Sequence, residues 1–156
     1  MSRFYLGVDP GYSGALAFLD ESGNMILLDM PTVKSNNKIE LNEEEIFKLI
    51  LEKATLIKHA VIEKAQAMPK QGTVSMFRYG VAYGFIRGLL KTMRIPYTLI
   101  HPKTWKKEMM PDMGKDKGAS ILRVQQLFPT TELTRKKDHN IADAILLAEY
   151  GRRKFK

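Results

Sequence analysis

Hydrophobic positions come in short dense runs at the start of the chain and spread to helical spacing further on. Arg3–Asp9, Gly14–Asp20 and Asn24–Met30 are three such runs, joined by Asp9-Pro10-Gly11 and Glu21-Ser22-Gly23-Asn24. Turn residues between runs of strand length predict a three-stranded antiparallel meander. Polar Lys34–Lys38 reads as a loop. Asn42 with Glu45 three residues on resembles a capping box, and Ile46, Leu49, Ile50, Lys53 and Ile57 continue at helical period, which predicts a helix over 43–57. His59–Glu63 reads as a strand, and a polar loop through Met68-Pro69-Lys70-Gln71-Gly72 leads to a helix from about Ser75 to Met93. Pro96–Ile100 is a further strand. Pro102–Met109, a segment around Gly118–Phe128, and Ile141–Arg152 are helical pieces that close the chain. No internal repeat or low-complexity segment interrupts this order.

Length and composition narrow the class. With 156 residues, 44% of them apolar and 27% charged, the sequence suits one soluble domain over 1–156 with a single core. No apolar stretch reaches eighteen residues and the first residues enter a strand directly, so neither a membrane span nor a signal peptide is expected, and the location expected is the cytoplasm. The absence of cysteine excludes disulfides and thiolate metal sites and leaves oxygen or imidazole to hold any metal.

Charge is unevenly placed. Residues 1–63 carry six Lys/Arg against ten Asp/Glu, a balance of −4, and residues 64–156 carry nineteen against seven, a balance of +12. A basic half of this kind favours a polyanion through counterion release and steering. Against it stand four acids at element ends: Asp9 and Glu63, each closing an apolar run, and Asp138 and Asp143 at the head of the last helix. Carboxylates that converge in a basic protein are suited to hold Mg²⁺ beside phosphates, which points to phosphodiester chemistry on nucleic acid.

Three hairpin strands, then helix, strand, helix, strand and C-terminal helices, is the element order of the α/β ribonuclease H-like fold. That fold has a mixed five-stranded sheet, a three-strand antiparallel meander plus two parallel strands, flanked by helices. In it the first strand pairs with the second on one side and in parallel with the fourth on the other, which would set Asp9 beside Glu63.

Several motifs in this order resemble the RuvC-type Holliday junction resolvases, particularly their small phage and prophage-encoded branch. They are Gly7-Val8-Asp9-Pro10-Gly11 with Ser13-Gly14-Ala15, Val61-Ile62-Glu63, Met76-Phe77-Arg78-Tyr79-Gly80 to Arg87-Gly88, and Asp138 to Ala144. Pro102-Lys103-Thr104-Trp105-Lys106-Lys107, followed by Lys115-Asp116-Lys117, resembles the paired lysine positions of that family. The similarity runs from about Arg3 to Gly151. It implies a homodimeric endonuclease that makes paired, symmetric nicks in four-way DNA junctions with two Mg²⁺ ions per site, Mn²⁺ being a substitute. No membrane or small-molecule substrate is implied. A related nuclease acting on other branched DNA or on RNA–DNA hybrids, and a non-catalytic junction-binding homologue, are the other readings.

The resemblance assigns metal ligation to Asp9, Glu63, Asp138 and Asp143, with His139 and Lys117 as further catalytic residues. Phe77, Arg78, Lys103, Lys106, Lys107, Lys115 and Lys117 are then the expected DNA contacts. Some positions keep two readings. Where the wider family has an acid or histidine three residues before the final aspartate, this chain has Asn140. On a helix His139 and Asp143 share a face, whereas Asp138 and Asp143 are about 140° apart, so Asp138 is either a ligand from a cap position or simply the N-cap. His139 is a metal ligand or shapes the attacking water. Phe77 either stacks on a junction base or starts the core of its helix. Gly80, Gly84 and Gly88 make a bare stripe that packs on the sheet or on a second copy of the helix.

Overall fold

A computed structural model describes residues 1–156. The three opening runs form the meander: β1 (Phe4–Asp9), β2 (Ala15–Asp20) and β3 (Met25–Asp29). The segment read as a loop is instead a two-stranded ribbon, β4 (Thr32–Ser35) and β5 (Lys38–Leu41). Asn36 and Asn37 make this possible, with φ of 48° and 60°. A two-residue turn with both residues left-handed matches the twist of the strands it joins, and Asn tolerates that region.

Helix α1 (Glu43–Lys53) begins as the sequence suggests, with the Asn42 side chain accepting from the Glu45 amide at 3.1 Å. It ends four residues earlier than the 43–57 expectation, because Ile57 opens β6 (Ile57–Glu63) opposite Phe4. Helix α2 (Thr73–Thr92), β7 (Tyr97–Ile100), α3 (Pro102–Met109), α4 (Gly118–Leu127), a 3₁₀ turn (Lys136–Asp138) and α5 (His139–Lys154) follow. The sheet order is β3-β2-β1-β6-β7, with β1 antiparallel to β2 and parallel to β6, and β6 parallel to β7. This is the mixed sheet of the ribonuclease H-like fold.

Side chains on a strand alternate between its two faces, and the core divides accordingly. Leu6, Val8, Leu16, Phe18, Ala60 and Ile62 are buried on one face with Ile46 and Ile50 of α1 and Ala82, Ile86 and Leu90 of α2. Ala15, Ala17, Leu19 and Val61 are buried on the other, with Trp105 and Met109 of α3, Val124 of α4 and the apolar side of α5. Asp9 and Glu63 have the same parity as Gly7 and Val61, so the alternation turns both carboxylates to the α5 side.

Residues on that face are small where the helix crosses. A Cβ built on Gly7 would lie 1.9 Å from the Ala144 carbonyl oxygen and 2.6 Å from the Ala148 nitrogen. The α5 backbone therefore rests directly on β1, and this close approach brings Asp143 down toward the strand ends. The glycine stripe of α2 does the opposite of what sheet packing would require. Ala82, Ile86 and Leu90 make the core face, and Gly80, Gly84 and Gly88, two positions away and thus roughly 200° round the helix, are exposed with nothing within 4 Å of a built Cβ.

Candidate active site

Asp9 sits at the last residue of β1, where the chain turns back into β2. Gly14 is required at that return, since a Cβ there would lie 1.9 Å from the Asp9 carbonyl oxygen. Glu63 ends β6, one step past the Val8–Ile62 pair of the β1–β6 register, so the two acids leave neighbouring strand ends. Asp143 joins them from α5. The three are close enough to repel one another. The Asp9 carboxyl is pushed well above the usual carboxylate range, first by burial, then by Asp143 and Glu63, with Lys106 pulling the other way. Burial also pushes Asp143 up to about 6, with Glu63 adding to the rise while the Ser120 hydroxyl, Lys106 and His139 oppose it.

Two aromatic residues stand near Glu63. The fully buried Trp105 donates from Nε1 to Glu63 Oε2 at 2.8 Å. Tyr79 lines a cavity with Glu63, and its phenol is raised above its ordinary range by burial and then by the negative charge of Glu63 and Asp9. The Tyr79 ring also covers Gly11, with Cδ2 3.1 Å from a Cβ built there. Neither residue was singled out as functional from the sequence. Trp105 is the chain's one tryptophan and stands between Lys103-Thr104 and Lys106-Lys107, which was the available signal.

Asp138 is placed elsewhere. It is buried at 4% exposure and its oxygens are taken by Arg135, whose backbone N–H donates to Oδ2 at 2.8 Å and whose Nε donates to Oδ1 at 2.7 Å. The same guanidinium grips Asp29 at 2.8 and 2.9 Å, and Lys137 adds a contact at 3.3 Å. Hydrogen bonds from Arg135 hold the Asp138 carboxyl below its ordinary range despite burial. This network ties the start of α5 to the end of β3 and does not include the other three acids.

His139 and Asn140 fall on two sides of the site. The Nδ1 of His139 lies 3.1 Å from the Lys136 carbonyl oxygen. A carbonyl only accepts, so Nδ1 carries a proton, and in the neutral ring the lone pair is on Nε2. His139, Asp143 and Ser120 line a cavity of about 510 Å³ together with Lys103, Lys106, Lys107, Lys115 and Lys117. Asn140 lines a different cavity, of about 320 Å³, with Asp9, Gly14, Arg78 and Tyr79. A third, of about 670 Å³, opens beside Glu63 and is bounded by Gln66, Tyr79, His101 and Lys103. Phe77 is 73% exposed, so it is not the first core residue of α2; Arg78 lies over the Tyr12 ring at 5.4 Å.

All five lysines assigned to DNA thus gather in one cavity beside Asp143, and Phe77 and Arg78 stand at the head of α2. No three His, Asp or Glu side chains are close enough to serve as the ligands of one ion. The donors nonetheless suit hard cations. Asp9 is a buried carboxylate flanked by two further acids and opposed mainly by Lys106, an excess of negative charge that a divalent ion would relieve.

No family sequence model and no curated protein matches the chain. In three dimensions it is similar to a structure of Thermus thermophilus RuvC in complex with a Holliday junction substrate, with a TM-score of 0.62 at 15% identity over 96% of this chain and 95% of that one. A second Thermus thermophilus RuvC structure gives a TM-score of 0.60 at 14% identity, again over 96% and 95% of the two chains. The likeness is to RuvC itself and carries nothing about a phage or prophage-encoded branch. Strand order, helix placement and coverage together give the chain the RuvC-like form of the ribonuclease H-like fold.

Proposed function

We propose that the protein is a metal-dependent, structure-selective endodeoxyribonuclease that resolves four-way DNA junctions by paired symmetric nicks. The observation that carries this reading is the meeting of Asp9, Glu63 and Asp143 at one end of a RuvC-like sheet, beside a cavity lined by five lysines. Asp9, which feels the charge of both other acids, would hold Mg²⁺, or Mn²⁺ in its place, together with them. Bound divalent metal would activate water and neutralise charge developing on the scissile phosphate. Trp105 fixes the direction of the Glu63 carboxylate. His139 offers Nε2 as a ligand or as an acceptor for the attacking water's proton, and Asn140 offers a neutral amide oxygen near Asp9. Asp138 is a structural anchor in this scheme. Lys106 and Lys117 hold the phosphate and oppose negative charge in the transition state.

A four-way junction has approximate two-fold symmetry, so two opposed strands are most simply cut by two copies of one site in a homodimer. The fully exposed glycine stripe of α2 supports a helix pair as one element of that dimer. Such an enzyme would work on DNA in the bacterial cytoplasm. The test compares Mg²⁺-dependent cleavage of a four-way junction, a Y-junction and an RNA–DNA hybrid. Preference for the four-way junction is expected. Equal or better cutting of the others favours a related nuclease of this fold, and tight binding without cutting favours a non-catalytic homologue.

The acid cluster has a consequence for stability. An acid whose pKa is higher folded than unfolded keeps its proton longer in the folded state, so stability falls as pH rises through the interval between the two values. For Asp143 that interval runs from the ordinary aspartate value of 3.8 to about 6. Two pKa units correspond to about 3 kcal/mol. The metal-free protein is expected to lose thermal stability between pH ~4 and ~6 by this route, and Asp143→Asn should flatten that part of the profile. Added Mg²⁺ should raise the melting temperature well above pH 6 and have little effect near pH 4. An equal response at both pH values would contradict the cation site.

A further inference from the structure

We propose that the β4–β5 ribbon is a DNA-contacting arm that lies in a groove of the duplex flanking the cleavage site. The inference rests on the reading of the protein as a nuclease for branched DNA. Its first support is position. The Met30 amide donates to the Gly14 carbonyl at 2.9 Å, which fastens the entering end of the ribbon at the β1–β2 return that carries Asp9, and the Asn42 amide donates to the Pro31 carbonyl at 2.9 Å, which ties the leaving end to the entering one. Gly14 itself touches the Asp9 backbone. Met30 and Leu41 are buried at the root, while every residue from Thr32 to Glu40 is exposed. Four paired residues at roughly 3.3 Å each project the tip about 13 Å from the body.

Its second support is the chemistry of the projecting part. Residues 1–63 are acidic overall, yet the tip reads Lys34-Ser35-Asn36-Asn37-Lys38. Neither lysine is in an ion pair. Residues opposed across an antiparallel pair share a face. The register sets Lys34 with Ile39 on one face and Lys38 with Ser35 on the other, so each face carries one cation. A two-stranded ribbon fits the major groove, and a lysine on either face can reach the phosphates of the strands that border it. An isolated ribbon is only marginally stable, and nothing within the chain covers this one.

The test uses the full-length protein, a synthetic four-way junction with long arms, and Ca²⁺ to support binding with little cleavage. Lys34→Ala/Lys38→Ala should bind roughly tenfold more weakly, and its slope of log affinity against log salt should be shallower by about two, one for each phosphate contact. Hydroxyl-radical protection should be lost on the arm and retained at the branch point. Unchanged affinity, slope and protection would overturn the proposal, as would a double variant that loses dimerisation in sedimentation while keeping the salt slope, since the ribbon would then be a protein contact. Wild-type protein that binds no branched DNA would overturn the nuclease reading and the arm with it, an outcome distinct from wild-type binding that the double variant matches.

Discussion

Asp9→Asn is expected to abolish cleavage of branched DNA, by on the order of 10³-fold or more, while leaving binding intact or tightening it. The amide has nearly the shape of the carboxylate, so the β1–β2 turn should survive, but it cannot hold a divalent ion as an anion does. It also removes one of three mutually repelling charges, whose cost is evident in the raised Asp9 and Asp143 carboxyls. Less negative charge facing phosphate favours binding. The variant should therefore melt higher than wild type without metal and respond less to Mg²⁺. Glu63→Gln and Asp143→Asn should follow the same pattern. Asp138→Asn should differ: its oxygens serve Arg135, so it should lower stability by about 1 kcal/mol or somewhat more and retain cleavage. Single-turnover cleavage in Mg²⁺ and gel shifts in Ca²⁺ separate the two classes. Near-normal nicking by the Asp9 variant would remove it from the site.

The second large effect is on folding. Gly7→Ala should destabilise the protein by about 3 kcal/mol or more, at the upper end of overpacking costs, because the added carbon meets backbone atoms of α5 and not a side chain that can swing away. For a chain of this size that is roughly 6–12 °C in melting temperature. Any protein that remains folded must lift α5 from β1, which moves Asp143 from Asp9, so activity should fall further than stability alone explains. Gly84→Ala is the matching control for the stability of the single chain, in which nothing lies near that position. The Gly84 Cβ would stand in open space in the middle of α2, and Ala is favoured over Gly there by about 0.5–1 kcal/mol. A stable Gly7→Ala protein with normal activity would mean that the close approach of helix and strand is dispensable.

The elements that build the sheet were legible because their signals are local and strong. Turn residues separate the three opening runs, and period-two burial fixes the faces, including those of Asp9 and Glu63. The ribbon reads as a loop in sequence because Lys34–Lys38 contains no apolar residue. Its strand character lies in Val33 and Ile39 on either side and in a pair of asparagines suited to positive φ. Helix α1 was drawn too long because Ile57 fits its period, but pairing with Phe4 claims that residue for β6. Periodicity also placed the α2 glycines on one stripe without saying which side it faces. The burial of Ala82, Ile86 and Leu90 decides that, and it is a tertiary fact.

Among the candidate acids, Asp9 and Glu63 stand out in sequence because a carboxylate closing an apolar strand has few other uses, and Asp143 because it stands at the edge of an apolar helix. Their supports do not. Trp105, Tyr79 and Ser120 act through contacts spanning tens of residues, as in the Trp105–Glu63 bond across 42 positions. Asp138 looks like its neighbour Asp143 in sequence and is set apart by Arg135 and Asp29, the latter 106 residues from that arginine.

The most direct measurement is strand-resolved mapping of cleavage on an end-labelled four-way junction, with Mg²⁺ or with EDTA, for wild-type protein and Asp9→Asn. The expected result is a pair of nicks at symmetry-related positions on two opposed strands, dependent on Mg²⁺ and absent from the variant. Cleavage that survives EDTA, or wild-type protein that leaves every strand intact in Mg²⁺, would contradict the account.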